Sequence, residues 1–504
     1  MKLDLVNSFL AWRMKKRYSQ IELFMRYPHE VQHETLLDNL YRAKNTEWGQ
    51  RYGFGEMRGS EQLKERVPIQ NYEALEKDID RMRAGVPNVL WPGEIKWFSK
   101  SSGTTSSKSK FIPVSPESLE NCHFKGGKDL LSIYCNLYPD TSIFGGLNLR
   151  LGGSLYPNQK ENKSFYGDVS AIIIENLPIW VEMRSTPSNR ISLMEEWEEK
   201  IEAIANTVTK EDVRSLAGVP SWMLVLMHRI LEKTGKENLH QVWPNLELYM
   251  HGGVSFAPYR THYEKIMGKP INYLETYNAS EGFFGIQDQA DDVSMLLMLD
   301  YGIYYEFIPM DQFAGMDSPV VGLDEVKLGE NYAMVITTNG GLWRYLIGDT
   351  IRFTCLDPFR FVVSGRTKHF INAFGEEVII ENAEKALAEA CRRTGAVVRE
   401  FTVAPRFMDG NQSGAHQWLI EFDVAPESLN GFREALDQKL KEVNSDYEAK
   451  RHKDMALKAP DIEIAPEGLF YKWLEGKNKL GGQHKVPRLS NDRKFMEELL
   501  ALRK

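Results

Sequence analysis

Hydrophobic residues recur at helical spacing over the first fifty positions of the chain. Leu3, Val6 and Leu10 lie three or four residues apart, and this spacing places side chains on one face of a helix. The pattern resumes beyond residue 20, and Pro28 can occupy the first turn of a second helix because that turn needs no backbone N–H donor. The sequence therefore predicts two helices over residues 3–48.

Between residues 190 and 280, apolar strand-like runs alternate with helix-like segments. The helical patterns cover 194–207 and 222–233, and the strand-like runs cover 246–250 and 271–276. This alternation predicts an α/β fold with parallel strands. Ligands in such sheets bind beyond the carboxyl ends of the strands. Gly252 and Gly253 follow the first run and Tyr277 to Gly282 follow the second, so both turns are predicted to border a ligand site.

The segment from residue 295 to 363 is rich in strand-like runs. Asn339-Gly340-Gly341 stands between two of them and is a strong hairpin signal, because these residues adopt the positive φ that tight turns need. Gly348-Asp349 then precedes another strand-like run at 352–354. We expect a β-barrel-like subdomain here, with Asp349 at the end of a strand.

Beyond Lys368 the pattern changes to that of a small α+β domain. The predicted order is helix, strand, strand, helix and short strand, at 381–393, 397–404, 417–424, 429–443 and 462–464. A segment of this size can fold as an independent domain. We predict a large N-terminal domain over 1–367 and a small mobile C-terminal domain over 368–504. The expected fold class is α/β: mostly parallel sheets flanked by helices in the large domain, plus its β-barrel-like subdomain, and an α+β small domain.

Composition narrows the class of protein. The chain has 504 residues, 42% of them hydrophobic and 26% charged, which is typical of a globular protein with more than one domain. Its net charge of −8 argues against nucleic acid or an anionic membrane as the main partner. Four cysteines with no CxxC pair, and no secretory leader at Met1, indicate a reducing compartment. We therefore expect a cytoplasmic location.

The most unusual stretch is Ser101-Ser102-Gly103-Thr104-Thr105-Ser106-Ser107-Lys108-Ser109-Lys110. It has no apolar side chain and cannot bury itself. Gly103 lets the backbone turn, while hydroxyls, backbone N–H groups and two lysines can surround an anion. A flexible, solvated loop is the alternative interpretation. The stretch is not the P-loop of ordinary NTPases, because no second glycine precedes the lysine.

A second motif suggests a different chemistry. His29-Glu30-Val31-Gln32-His33 matches the HExxH pattern, in which two histidines on one helix face hold zinc and the glutamate acts as a base. No third ligand is marked in the residues that follow, and His29 comes directly after Pro28 at the helix start. A zinc peptidase built on His29 and His33 therefore stays an alternative with weak support.

Several residues in order along the chain suit the binding of ATP·Mg²⁺ and the activation of a carboxylate. Two anions meet in such a reaction, so cations and N–H donors must offset the developing charge. The hydroxyl-rich stretch can hold the β- and γ-phosphates, and Glu281 can hold Mg²⁺ through a carboxylate oxygen. Tyr277 offers a flat face for adenine, and Asp349 can accept from the ribose hydroxyls. Lys485 can reach the α-phosphate as a mobile point charge.

Four segments carry a family resemblance. They are SSGTTSSKSKFIPVS, TYNASEGFFGI, GLWRYLIGDTIRF and SGRTKHFINAFGEEV, and they occur in the order expected for adenylate-forming enzymes. Together they make the chain resemble an acyl acid–amido synthetase of the auxin-responsive (Gretchen Hagen) family, within the acyl-adenylate-forming superfamily. The resemblance covers nearly the whole chain.

The resemblance implies roles for individual residues. Those at matching positions are the phosphate-binding loop Ser101, Ser102, Gly103, Thr104 and Thr105 with its closing Lys110; Tyr277, Ser280, Gly252 and Gly253 near adenine; Glu281 with magnesium; Asp349 at the ribose; Arg366 and Lys368 at the hinge between domains; and the mobile catalytic Lys485. Two departures stand out. Ser106 and Ser107 replace the acid and glycine that the family commonly has. The family's arginine before Gly-Asp is displaced to Arg344, which receives no role.

The predicted activity is that of an ATP-dependent ligase. A carboxylic acid and ATP give acyl-AMP and pyrophosphate, and an amine, expected to be an amino acid, then attacks to form an amide. The small domain would rotate about Lys368 between the two half-reactions. An acyl-CoA ligase with the same intermediate is the near alternative. A non-catalytic acyl- or nucleotide-binding protein and the zinc peptidase are alternatives of other classes.

Overall fold

The computed structural model of the chain describes residues 2–101, 110–157, 164–254, 256, 259–367, 370–376, 378–408, 413–454, 456–476 and 487–503. Its helices are α1 (Lys2–Arg26), α2 (Pro28–Ala43), α3 (Glu47–Tyr52), α4 (Ser60–Arg66), α5 (Tyr72–Arg83), α6 (Pro116–Ser118), α7 (Lys125–Leu137), α8 (Val169–Glu175), α9 (Ile179–Glu182), α10 (Asn189–Ser192), α11 (Trp197–Val208), α12 (Pro220–Thr234), α13 (Arg260–Met267), α14 (Ile380–Thr394), α15 (Leu429–Val443), α16 (Ser445–Lys450), α17 (Leu469–Gly476) and α18 (Lys494–Leu502).

The strands are β1 (Trp97–Ser101), β2 (Lys110–Val114), β3 (Leu147–Arg150), β4 (Leu155–Pro157), β5 (Phe165–Gly167), β6 (Ser185–Thr186), β7 (Val213–Ala217), β8 (Leu248–Gly252), β9 (Asn272–Ala279), β10 (Gly282–Gln287), β11 (Met295–Leu297), β12 (Ile303–Pro309), β13 (Asn331–Thr338), β14 (Tyr345–Leu356), β15 (Phe359–Arg366), β16 (Phe370–Ile371), β17 (Val378–Ile379), β18 (Val397–Arg406), β19 (Ala415–Val424) and β20 (Asp461–Ile464). The mixed α/β class predicted from the sequence is confirmed.

The N-terminal helices cover one face of the central sheet. Helix α2 begins at Pro28 as predicted, with the proline in its first turn. Gln32 is buried on this helix; its amide nitrogen donates to the carbonyls of Leu299 and Ile303 at 2.8 and 2.9 Å, and its oxygen accepts from Tyr305 N at 2.9 Å. A buried amide with all these bonds ties the helix to strand β12 without leaving polar atoms unsatisfied.

The central sheet joins a parallel half to an antiparallel half. Its eleven strands run β12-β13-β14-β15-β11-β10-β9-β8-β7-β3-β6. The pairings from β6 through β3, β7 and β8 to β9 are parallel. Every pairing from β9 on to β12 is antiparallel. The predicted parallel strands lie in the parallel half of the sheet. The hairpin predicted at Asn339 joins β13 to β14 in the antiparallel half.

Two strand boundaries differ from the sequence prediction. Strand β9 continues through Tyr277 to Ala279, so the predicted loop is reduced to a turn at Ser280 and Glu281. Strand β14 is continuous from Tyr345 to Leu356 and contains Asp349. Gly348-Asp349 predicts a break between strands, but β14 stays paired with β13 and β15 on both sides of it, and the departure from extended backbone is confined to a bulge in which Gly348 has φ +94°.

A four-stranded sheet carries the ends of the hydroxyl-rich stretch. Strands β1 and β2 are antiparallel, and Ser101 lies opposite Lys110. Phe98 and Ile112 anchor the pair because both are almost fully buried in the main core. Residues 102–109 lie outside the described part of the chain, so the structure gives only the strands from which the stretch leaves and to which it returns.

The C-terminal part has the predicted helix, strand, strand, helix and strand in α14, β18, β19, α15 and β20. Strand β19 pairs antiparallel with β18 and parallel with β20. This part contacts the strand ends of the central sheet: the Tyr259 hydroxyl donates to the Ala373 carbonyl, and Asn372 Nδ2 donates to Gly253 O at 3.4 Å. Among the described helices, none has the length and apolarity that a bilayer crossing would require.

Candidate active site

A cavity of about 1920 Å³ opens at the carboxyl ends of the parallel strands. Its lining includes the β8 end at His251 to Gly253, the β9 segment from Glu275 to Ala279, Asp349 of β14 and Arg366 of β15. Asn372, Asn491 and Arg493 of the C-terminal part border the same cavity. Sites of open α/β sheets are expected at this place, and here the antiparallel half supplies part of the wall.

The turn between β9 and β10 places Ser280 and Glu281 in this cavity. The two strands are antiparallel, with Gly282 opposite Ala279. A Cβ at Gly282 would lie 2.6 Å from Ile303 Cδ1, so a larger residue in this turn would require the Ile303 side chain of β12 to shift. The sequence named Ser280 and Glu281 as site residues, and this turn brings both to the cavity wall.

A buried chain of polar contacts joins Tyr277, Asp349 and Arg366. Asp349 and Arg366 are directly opposite each other on β14 and β15, and Arg366 Nε lies 2.5 Å from Asp349 Oδ1. The Tyr277 hydroxyl donates to Asp349 Oδ2. Burial, together with the Asp349 carboxylate, raises the pKa of Tyr277 well above its usual value. Tyr277 and Arg366 therefore fix the carboxylate of Asp349 at the cavity edge from two sides.

The ring of Tyr277 is itself enclosed. Its centroid lies 4.9 Å from that of Phe284 and 6.1 Å from that of Phe361, and only 9% of the residue is exposed. Much of the ring is thus packed by aromatic neighbours. The clearest contribution of Tyr277 is the hydroxyl that holds Asp349.

Glu281 and Lys110 are the charged pair on the phosphate side. Lys110 begins β2 and is 5% exposed. Burial raises the pKa of Glu281 to about 7; the ammonium of Lys110 opposes this rise and the carboxylate of Asp349 adds to it. The carboxylate therefore lies within reach of a buried cation at the base of the hydroxyl-rich stretch. Arg366 also opposes the rise, and a metal ion beside Glu281 would oppose it more strongly.

A hydroxyl contact links the two hairpins. Ser99 on β1 and Ser280 at the β9–β10 turn are joined by a hydrogen bond of 2.8 Å between their Oγ atoms. Ser99 is completely buried and lies two residues before Ser101. The strand that enters the hydroxyl-rich stretch is thereby held next to Glu281. Ser99 could not be predicted as a site residue from the sequence, because a single serine in a strand carries no chemical signal.

The glycine turn after β8 forms another wall. Gly253 has φ +82°, which favours glycine, and a Cβ at Gly252 would lie 2.3 Å from the Thr276 carbonyl oxygen. The backbone of β8 can therefore approach β9 closely and leave space above it. Both glycines line the cavity, as the sequence predicted.

Some predicted residues fall outside the described part of the chain: Ser102, Gly103, Thr104, Thr105, Lys368 and Lys485. Ser101 is described only by its backbone at the end of β1. Their assigned roles stay predictions. Of the remainder, the structure brings Lys110, Gly252, Gly253, Tyr277, Ser280, Glu281, Asp349 and Arg366 to one cavity.

Three cavity residues carry shifted pKa values that sequence reasoning did not find. Burial raises the pKa of Glu275 to about 7 and lowers that of His251 to about 3, where Arg260 adds to the effect. Burial lowers the pKa of His123 to about 4, although a hydrogen bond with Asn278 opposes this. Glu275 lies within β9, opposite His251 near the end of β8. Neither residue belongs to a recognisable motif, so the sequence alone does not mark it as a cavity residue.

Arg344, which the sequence left without a role, belongs to a separate structural contact. Its Nε and Nη2 donate to the two oxygens of Glu306 at 2.9 and 3.0 Å, and its Nη1 donates to the carbonyls of Lys64 and Val67. Both members of the pair are buried. Arg344 therefore stabilises the antiparallel half of the sheet and does not line the cavity.

The zinc alternative finds little support in the geometry. His29 packs its ring against Phe359 at 5.9 Å, and His33 on the same helix is exposed. Within the described ranges, no group of three or more histidine, cysteine, aspartate or glutamate side chains could hold a metal ion.

Comparison with known structures shows solved proteins that share the fold of this chain. The chain superposes on the GH3.15 acyl acid amido synthetase with a TM-score of 0.60 and 19% identity, covering 96% of this chain and 95% of that one. It also superposes on a 2-hydroxyisobutyryl-CoA ligase with a TM-score of 0.56 and 14% identity, covering 94% and 92%. The chain therefore shares its overall fold with these two enzymes along nearly its whole length.

Sequence comparison gives the family. Models of the GH3 family N-terminal, central and C-terminal domains match residues 17–271, 296–366 and 381–494. The chain belongs to the GH3 family, as predicted from the four segments. It is similar to the indole-3-acetic acid-amido synthetase GH3.4 of Arabidopsis thaliana (23% identical, covering 93% of this chain and 90% of the relative) and to the jasmonoyl–L-amino acid synthetase JAR6 of Nicotiana attenuata (25%, covering 95% of each).

Proposed function

We propose that the chain is an ATP-dependent acyl acid–amido synthetase that joins a small carboxylic acid to an amino acid. The observation that carries the proposal is the convergence of Glu281, Lys110 and the Tyr277–Asp349–Arg366 chain on one strand-end cavity in a member of the GH3 family. The reaction needs no side-chain nucleophile, because the acid is activated as its adenylate.

Phosphate binding is assigned to the hydroxyl-rich stretch and Lys110. Ser101, Ser102, Gly103, Thr104 and Thr105 supply hydroxyl and backbone donors in this proposal, and Lys110 supplies a positive charge. The anchoring of both flanking strands supports it, since β1 and β2 are paired along their whole length and the Ser99–Ser280 contact fixes them beside Glu281. Donors that are positioned before the substrate arrives stabilise developing charge without reorganisation.

Glu281 is the proposed magnesium-side residue. The donor chemistry fits, because a carboxylate oxygen is a preferred ligand of Mg²⁺, and a carboxyl whose pKa is raised to about 7 by burial lacks a full counter-charge among the described residues. Bound Mg²⁺ would supply that positive charge and offset the charge of the phosphates. Lys110 opposes the rise in the pKa of Glu281, which favours the ionised form that can bind a cation.

Asp349 is the proposed ribose ligand, and Gly252, Gly253, Tyr277 and Ser280 form the proposed adenine side. Arg366 and Tyr277 each hold one oxygen of Asp349, and each oxygen keeps a further lone pair to accept a ribose hydroxyl. The chain thus orients the carboxylate before nucleotide binds, which lowers the entropy cost of binding.

Amide formation is the proposed second half-reaction. The amine nitrogen forms a bond to the acyl carbon, the bond from that carbon to the phosphate oxygen breaks, AMP leaves, and the amine loses a proton. We assign Lys485 to the first half-reaction and Lys368 to the hinge of a moving 368–504 domain. The contacts of Ala373 and Asn372 with the strand ends support such a domain as the cavity's lid.

An exchange of labelled pyrophosphate into ATP, measured over a set of acids, tests the first half-reaction. Mass analysis of products with mixed amino acids or with coenzyme A tests the second. We expect acid-dependent exchange and an amide product. Absence of exchange for every acid together with absence of ATP binding would overturn the proposal, whereas a thioester product would move it to the acyl-CoA ligase alternative.

A further inference from the structure

Arg150 lies at the far side of the cavity from Glu281. It is the last residue of β3 and stands opposite Ala217 at the end of β7. Strands β7 and β8 separate β3 from β9, so the Cα atoms of Arg150 and of the β9 residue in the same row are about 14 Å apart at the usual strand spacing. Its side chain borders the cavity and is 6% exposed.

The guanidinium of Arg150 lacks the partners that a buried cation needs. One nitrogen, Nη2, donates to Asn189 Oδ1. Nε and Nη1 are buried and have no acceptor among the described residues. Burial lowers the pKa of Arg150, although Glu182 opposes the effect, and an arginine stays charged at any physiological pH. No described carboxylate forms an ion pair with it, so the described part of the chain leaves this buried positive charge without a counter-ion.

A second buried cation lies next to it. Lys200 of α11 is 1% exposed, and its Nζ donates to the carbonyls of Gly152 at 2.8 Å and Gly153 at 3.0 Å, directly after Arg150. Burial lowers the pKa of Lys200, and the carboxylate of Asp168 opposes this effect. The same carboxylate accepts a hydrogen bond from Ser154 N at 3.0 Å. This end of the cavity is therefore positive, and its shape is fixed by bonds that do not neutralise Arg150.

A chain rarely keeps an uncompensated buried cation unless a ligand completes it, because desolvation of the charge costs several kcal/mol. We propose that Arg150 binds the substrate carboxylate that is not activated. This group is either a second carboxylate on the acyl acid or the carboxylate of the amino acid acceptor. Planar carboxylates match the Nε–Nη face of an arginine, and the inference rests on the ligase function proposed above.

The experiment compares Arg150→Met and Arg150→Lys with the control Arg190→Gln, which changes an exposed arginine forty residues away. Pyrophosphate exchange is measured with the pairs adipate and hexanoate, and terephthalate and benzoate. Amide formation is measured with alanine and alaninamide. We expect Arg150→Met to lower kcat/KM by at least about tenfold for substrates with the extra carboxylate, and to change kcat/KM by less than threefold for the counterparts that lack it.

The two arms distinguish the source of the carboxylate. Loss confined to the dicarboxylic acids in the exchange reaction assigns Arg150 to the acyl side, and loss confined to alanine assigns it to the acceptor side. Equal kinetics of Arg150→Met and Arg190→Gln in both arms would overturn the inference while leaving the ligase function intact. If the wild type shows no exchange, the function fails first.

Thermal unfolding provides a readout that does not need turnover. Without ligand, Arg150→Met is expected to unfold at or above the wild-type temperature, because it removes a buried unpaired charge. Adipate, terephthalate or alanine at constant ionic strength should raise the unfolding temperature of the wild type and not that of Arg150→Met. Identical ligand shifts in both proteins contradict the inference. Arg150→Lys, which keeps the charge, replaces the methionine variant if that variant does not fold.

Discussion

Arg344 and Arg150 are buried to nearly the same degree, 5% and 6% exposed, yet their surroundings differ completely. Arg344 lies in the antiparallel half of the sheet and donates to both oxygens of Glu306 and to two carbonyls. Arg150 ends a strand of the parallel half and has only Asn189 as a described hydrogen-bond partner.

The difference separates a structural ion pair from a binding group. In a saturated ion pair, partners within the protein occupy the donors and acceptors, so none is left to bind a ligand. An unsaturated buried cation destabilises the empty protein and is stabilised when an anion arrives. Asp349 lies between these extremes, since Tyr277 and Arg366 hold it while its edge still borders the cavity.

The largest expected effect comes from making Arg344 resemble Arg150. Glu306→Gln removes the counter-charge of a buried arginine and should lower the free energy of unfolding by about 3–5 kcal/mol, the usual cost of breaking a buried pair. Denaturant unfolding followed by tryptophan fluorescence measures the change. The surface pair of Arg66 and Glu56 provides the control, because Glu56→Gln should cost less than about 1 kcal/mol. A similar small loss for both variants would break the comparison.

The next effect is on catalysis. Asp349→Ala removes the only described carboxylate in an ion pair with Arg366 and the acceptor of the Tyr277 hydroxyl. We expect pyrophosphate exchange to fall by about 10²–10³-fold, as when one pre-positioned polar group of an active site is lost. Asp317→Ala, at an exposed aspartate, should leave exchange unchanged. Wild-type exchange by Asp349→Ala would mean that Asp349 acts like Glu306, as a purely structural acid.

A third test concerns a buried acid, Glu281, in place of a buried arginine. In the folded chain Glu281 keeps its proton up to about pH 7, whereas its ordinary pKa is 4.5. The stability that this proton contributes is therefore complete below pH 4.5 and is lost as the pH rises through 7. Glu281→Gln should be more stable than the wild type at pH 8 by up to about 3 kcal/mol, with no difference at pH 4.5.

Thermal unfolding against pH, without nucleotide or metal, measures this difference for Glu281→Gln. Glu65→Gln changes an exposed glutamate and should follow the wild-type curve. Parallel curves for the wild type and Glu281→Gln across the whole range would show that Glu281 already has a complete counter-charge.

The smallest effect concerns a single hydroxyl. Tyr277→Phe keeps the ring among Phe284 and Phe361 but removes one donor from Asp349. A hydrogen bond to a charged group contributes about 1.5–3 kcal/mol, and Arg366 remains, so we expect a three- to tenfold rise in KM for ATP with kcat little changed. Tyr41→Phe, at an exposed tyrosine, is the matched control. A fall in kcat alone would argue against nucleotide positioning.

Local pattern was enough for most of the elements. Helix α2 begins at Pro28, α14 and α15 lie where the apolar spacing predicted them, and the Asn339 turn joins β13 to β14. The errors fell at Tyr277 and Asp349, which were expected beside or beyond strand ends and lie within β9 and β14. Turn signals depend on neighbouring residues, but strand continuity also depends on the partner strands, and a local pattern does not contain them.

The residues of the candidate site also fall into two groups, those that the sequence could identify and those that it could not. Glu281, Lys110 and Asp349 could be named from ordered motifs, because anion binding and metal ligation require particular residue types. Arg150 and Glu275 could not, since one arginine and one glutamate among many carry no signal until strands β3 and β9 bring them to the same cavity.

The sequence by itself determined the helices, most strands, the family and the chemical types gathered for carboxylate activation. Those properties follow from side-chain spacing and from residue identity, which are local. Only the tertiary structure decided that Arg344 is neutralised and Arg150 is not, and that Asp349 is held from two sides. The energy of a buried charge depends on the acceptors that the fold places around it, and those acceptors come from residues up to 280 positions away.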